Sequence, residues 1–176
     1  MKRAWIALAV GTSLSAFFPH AARADRAHRP PKTLLAFQSM YGVDGPFVGD
    51  ANPVRGVSGD DLPWESPSVA NGVLTTDGGL FIALRGLVLG FDDVVPPDQR
   101  GVNPDDTFRG LVSCLTEDGD HVVEKNVATK PFKADAKGNS LIFAKLELPN
   151  PCVAPIVMVL DGDQDVWFAM TGVETE

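Results

Sequence analysis

The two cysteines of the chain, Cys114 and Cys152, both fall between Thr107 and Gly172, and this stretch constrains the fold more than any other. Its segments resemble strands, separated by turns rich in Gly, Asp and Pro. An even cysteine count in a chain bound for an oxidising compartment favours a disulfide over free thiols. Joining Cys114 to Cys152 closes a loop of about 39 residues, worth roughly 4 kcal/mol in the chain-entropy account. That is a large share of the ~5–15 kcal/mol that keeps an ordinary domain folded. The pair is expected to fix which strands lie opposite each other, with the rest of the chain packed onto that clip.

The compartment is read from the start of the chain. Lys2 and Arg3 precede an apolar run from Ala4 to Phe18 that is too short to span a bilayer comfortably, and Ala22-Arg23-Ala24 has the form of a cleavage site. A signal peptide over residues 1–24 is predicted, with export and a mature chain starting at Asp25. Lys2-Arg3 is not a twin-arginine pair, so the general secretion route is expected, to the periplasm or the medium. Residues 25–31, with Arg26, His28, Arg29 and Pro30-Pro31, read as a flexible basic arm, and residues 32–173 as one domain. Losing Lys2, Arg3 and Arg23 but no acid takes the formal charge from −8 to about −11. Such a surface repels phosphate backbones and anionic lipid heads, which argues against nucleic acid and membrane surfaces as partners. No later apolar run is long enough for membrane insertion, because Gly, Pro or Asp interrupts each one. A monomer is expected.

Along the mature chain, Lys32 to Met40 predicts a first strand. Tyr41 to Pro67 carries so many Gly and Pro breakers that no helix persists, and only strand pieces near Phe47-Val48 or Val54 to Val57 are expected. Val69 to Thr75 and Leu80 to Leu89 form a hairpin signal across Asp77-Gly78-Gly79. Both faces of its second arm are apolar, Leu80, Ile82 and Leu84 opposing Phe81 and Ala83, which predicts a central, covered strand. Thr107 to Thr116 alternates as a half-buried strand, with Phe108, Val112 and Cys114 on one face. Turns at Glu117 to Asp120 and Ala136 to Asn139 lead to strands at His121 to Thr129 and Leu141 to Leu148. A last hairpin pairs Ala154 to Leu160 with Val166 to Thr171 across Asp161-Gly162-Asp163-Gln164. Short strands with turn chemistry between them and no capped amphipathic helix predict an all-β antiparallel β-sandwich of about seven to nine strands. Immunoglobulin-like and jelly-roll orders both stay open.

The pieces Thr107-Phe108-Arg109, Val112-Ser113-Cys114-Leu115, Asn126-Val127, Pro131-Phe132 and Pro151-Cys152-Val153-Ala154-Pro155-Ile156-Val157, ending near Trp167-Phe168-Ala169, resemble a family of small secreted bacterial proteins with one cysteine pair and no assigned activity. The likeness spans Ser68 to Gly172. It implies the strand fold and the cysteine pair, and it implies no function.

Chemistry is limited by what residues remain. The mature chain keeps only His28 and His121, and it has no Gly-x-Ser-x-Gly elbow, so no triad hydrolase is expected. Cys114, His121, Met158 and Met170 invite a blue-copper site, but the second histidine is missing from the domain and the disulfide competes for Cys114. Asp161, Asp163 and Asp165 alternate as at the opening of a calcium loop, and calcium is the one cofactor the chain suggests. Val166 stands where such a loop needs Gly, and Glu174 falls one step past its last ligand; a hairpin turn accounts for the same residues. Trp64 either plugs the end of the sandwich or offers an indole on which a sugar or peptide stacks. The expected function is non-catalytic binding or a structural role outside the cytoplasm, toward a protein or glycan. The alternative is a carboxylate-dependent glycan hydrolase drawing on Asp60, Asp61, Asp92 and Asp105.

Overall fold

The computed structural model describes residues 30–172, and the predicted signal peptide, His28 and Glu174 lie outside the described residues. Eleven strands follow in chain order: β1 (Thr33–Phe37), β2 (Tyr41–Gly42), β3 (Ser58–Gly59), β4 (Val69–Thr75), β5 (Gly79–Arg85), β6 (Thr107–Asp118), β7 (His121–Ala128), β8 (Phe132–Lys133), β9 (Ser140–Lys145), β10 (Val153–Asp161) and β11 (Val166–Met170). Among the described residues, a 3-10 turn at Gly45–Phe47 is the only helical element. β2, β3 and β8 are two-residue strands, which leaves eight longer ones, within the number expected.

Two sheets pack as a sandwich, one ordered β1-β4-β5-β9 and the other β2-β11-β10-β6-β7, with β3 beside β11 and β8 beside β6. Pairing is antiparallel apart from β3 with β11. Immunoglobulin constant domains place their second strand beside the fifth. Here β4 lies beside its own hairpin partner β5, so the order is a different one.

Local chemistry explains the hairpins. In Asp77-Gly78-Gly79, the Gly78 N–H donates to the Thr75 carbonyl at 2.9 Å and the Thr75 hydroxyl donates to Asp77 Oδ1 at 2.6 Å. Gly78 sits at φ +84°, and a Cβ there would strike the Leu146 backbone, so only glycine fits. The register puts Leu74, Leu80, Ile82, Leu84 and Ile142 on the inner face of one sheet, against Phe108, Val112, Val157 and Val159 of the other. Burying each such side chain stabilises the fold by roughly 1.5–3 kcal/mol. Gly110 lets the layers close, since a Cβ there would lie 3.1–3.3 Å from Leu80, Ile142 and Ile82.

The disulfide is formed, with Cys114 of β6 bonded to Cys152 just before β10. β6 and β10 are neighbours in one sheet, with Leu115 opposite Val153. The bond therefore staples adjacent strands and does not bridge the layers.

Two expectations about coverage are corrected. β6 is buried on both faces from Gly110 to Cys114. The Tyr41–Pro67 segment accounts for this, because the Arg55 guanidinium donates to the Ala154 carbonyl of β10 at 3.2 Å while Asn126 of β7 donates to the Arg55 carbonyl at 2.9 Å. That segment thus crosses β6 over Ser113, whose register partners are Asn126 and Ile156. β5 is central, as expected, but its outward face is not covered: Phe81 is 42% exposed. The apolar residues of that face answer to something other than the core.

Candidate functional site

The start of β6, the end of β10 and the residue after β3 meet at one end of the sandwich and bring Asp105, Asp161 and Asp60 near one another. Burial, then the charges of Asp161 and Asp60, push the Asp105 carboxyl up to about 6. Asp60 is also raised, by burial, while a hydrogen bond from the Trp64 indole N–H to Asp60 Oδ2 at 2.7 Å acts the other way. A carboxyl that holds its proton into the mildly acidic range has the property of a general acid.

Its neighbours are committed elsewhere. Asp161 Oδ1 accepts the N–H groups of Asp163 at 2.5 Å and Gln164 at 3.1 Å, so this carboxylate builds its own turn. Arg109 clamps the same turn, donating to the Asp161 carbonyl at 3.0 Å, the Gln164 carbonyl at 2.6 Å and Asp165 Oδ1 at 2.9 Å. The calcium candidates Asp161, Asp163 and Asp165 are accordingly not brought together: one caps the turn, one is exposed and one pairs with a guanidinium. Among the described residues, no three His, Cys, Asp or Glu side chains are grouped to hold a metal ion.

The other predicted residues scatter. Trp64 is 3% exposed, stacks on Phe168 at 3.9 Å and meets Phe108 edge-on at 6.3 Å, so it plugs the sandwich and has no face to offer a ligand. Asp61 is an exposed loop residue, and Asp92 lines a separate cleft of about 240 Å³ with Glu65, Asp44 and Tyr41. Burial and the charge of Asp44 raise the Tyr41 hydroxyl there. Asp60, Asp61, Asp92 and Asp105 therefore do not share one cleft. Cys114 is spent on the disulfide, His121 is exposed at the tip of the β6–β7 hairpin, and Met158 and Met170 face each other in the core, which leaves no copper ligand set.

The outward face of β1-β4-β5-β9 carries a feature that no single residue of the sequence discloses. Phe143, Phe81 and Val73 stand side by side across three strands, with Leu141, Ala83 and the polar Asn71 in the next row. Leu141 is 59% and Phe143 65% exposed. Phe132, at the start of β8, brings its ring to 5.2 Å from that of Phe143. A groove of about 760 Å³ runs beside them, lined by Val69, Ala83, Phe132 and Leu141 with Arg85 and Lys133. The signal was present in β9, where Leu141 and Phe143 alternate against Ile142 and Ala144 and make both faces apolar.

No protein family, curated protein or solved structure matches the chain in comparisons of sequence and fold. No helix among the described residues is long and apolar enough to cross a membrane.

Proposed function

We propose that the chain is an exported, non-catalytic binding protein whose working surface is the outward face of the β1-β4-β5-β9 sheet. The observation that carries this is the in-register row of Phe143, Phe81 and Val73, with Leu141 beside it: Phe81, Leu141 and Phe143 are exposed together on one face, whereas the other exposed large apolar strand residues, Val122 and Val153, are single positions at the starts of β7 and β10. A contiguous exposed apolar patch on a folded domain marks a surface that a partner covers. Export rests on the signal-like start of the chain, and the formed disulfide agrees with it.

The second reading, a carboxylate-dependent glycan hydrolase, is favoured by one observation, the Asp105 carboxyl held near 6. Against it stand the hydrogen-bond commitments of Asp60 and Asp161, the two carboxylates whose charges act most on Asp105. Incubating the protein with a panel of polysaccharides between about pH 4 and 7 and counting reducing ends separates the two. No release is expected from the wild type; release that disappears in Asp105→Asn overturns the non-catalytic reading. Mass spectrometry of the secreted protein is expected to find Asp25 at its N-terminus, and retention of residues 1–24 overturns export by this route.

A further inference from the structure

We infer that the outward face of the β1-β4-β5-β9 sheet docks an acidic polypeptide segment, one carrying carboxylates beside aromatic or aliphatic side chains. This rests on the binding reading above and names the partner's chemistry. The chain has 23 acidic and 15 basic residues, yet β1, β4, β5 and β9 contain no Asp or Glu at all. The acids lie instead on the other sheet, as with Glu117, Glu124 and Asp161, and in the loops. Three grooves cross the outward face, and no carboxylate lines any of them. The charges they do hold are Arg85, Lys133 and Lys145. Lys145 pairs with Asp77 from the β4–β5 turn; among the described residues Arg85 and Lys133 make no ion pair.

An apolar floor with two uncommitted cations at its rim, on an otherwise anionic molecule, selects an anionic and partly apolar occupant. A second copy of the chain fits badly, because every charge lining these grooves is cationic and two stacked faces would offer each other no carboxylate. An anionic membrane fits badly too. A lipid plane presents negative charge to the molecule's whole footprint, acids included, whereas a short segment lies within a Debye length of ~8 Å of the local cations and is screened from the rest. A neutral polysaccharide offers no charge to Arg85 and Lys133, although Asn71 continues the row of Leu141 and Ala83 and could meet a hydroxyl.

The test pans a displayed library of random short peptides on the intact, disulfide-bonded protein and measures the selected sequences as synthetic peptides by fluorescence anisotropy. The selected peptides are expected to combine Asp or Glu with Phe, Leu or similar residues, and to bind more weakly as salt is raised. R85E/K133E is expected to weaken them about tenfold or more, the scale on which one or two charge contacts act. Phe143→Ser, which keeps both cations, is expected to weaken them as well. These side chains are exposed, and unchanged circular dichroism and Tm would show that the variants fold.

Selected peptides without acids, peptides indifferent to both variants, or no selection at all each overturn the inference. Sodium oligogalacturonate and phosphatidylglycerol vesicles serve as parallel probes. If either binds in an Arg85- and Lys133-dependent way while peptides do not, the occupant is not a polypeptide and this inference falls, whereas the binding reading stands. The reducing-end assay decides that reading separately.

Discussion

Replacing Trp64 by alanine removes an indole that stacks on Phe168, touches Phe108 edge-on and donates its N–H to Asp60. Trp→Ala at a buried site costs about 3–5 kcal/mol from lost transfer energy and the cavity left behind. Leaving the half-buried Asp60 carboxylate without its donor adds about 1 kcal/mol or more. The sum, about 4–6 kcal/mol, approaches the whole stability of an ordinary domain. At ~3 °C per kcal/mol for a domain of this size, Tm is expected to fall by more than ~10 °C. Trp64→Phe separates packing from the hydrogen bond: it keeps an aromatic plane against Phe168 and loses the donor, for about 1–2 kcal/mol near neutral pH. The indole N–H favours the ionised form of Asp60. The cost of Trp64→Phe is therefore expected to shrink as pH falls and Asp60 gains its proton, since a neutral carboxyl needs that donor less. Urea unfolding followed by far-UV circular dichroism near pH 4 and near pH 7 measures both effects. A Trp64→Ala protein with Tm within ~2 °C of the wild type would refute the account of Trp64 as a plug.

Other outcomes follow from the same geometry. The folded-state value of Asp105, about 6, lies above its unfolded value, so its ionisation opposes folding; the cost grows as pH rises from about 4 through 6 and is complete above that. Asp105→Asn is expected to raise Tm near pH 7 and to flatten the fall between those limits, measured by paired thermal melts; an unchanged profile contradicts the buried acid cluster. At more acidic pH the slope reverses, because Asp77, held at about 2 by Lys145 and Thr75, and Asp135, lowered by Asn139, add stability that is lost as they are protonated. The Ser113 hydroxyl is buried under the Arg55 segment with no protein partner, so Ser113→Ala is expected to stabilise by about 1 kcal/mol in urea unfolding, and a clear loss would show the hydroxyl to be engaged. Replacing Cys114 and Cys152 together by Ala is expected to cost about 4 kcal/mol and to lower the urea midpoint, and an unmoved midpoint would remove the disulfide from the account of stability.

The strands and their turns were legible because they are local. Asp77-Gly78-Gly79 and Gly119-Asp120 announce hairpins through glycine at positive φ, and the alternation in β5 and β9 sets which residues share a face. The cysteine pair was legible from its count and the signal-like start. Which face of a sheet is covered was not. Apolar residues on both sides of β5 looked like a strand buried twice, but the strands buried on both faces are β6, β10 and β11, and over β6 the cover is a segment with almost no regular structure. The acid cluster was legible only in part: Asp60 and Asp105 were named together among the loop acids, but Asp61 and Asp92 were wrongly grouped with them and Asp161 was assigned elsewhere, because residues far apart in the chain become neighbours only at the strand ends. A sequence specifies backbone propensity and face through interactions a few residues long. Coverage, charge proximity and the emptying of acids from one sheet surface are sums over the whole fold, and only the packed chain decides them.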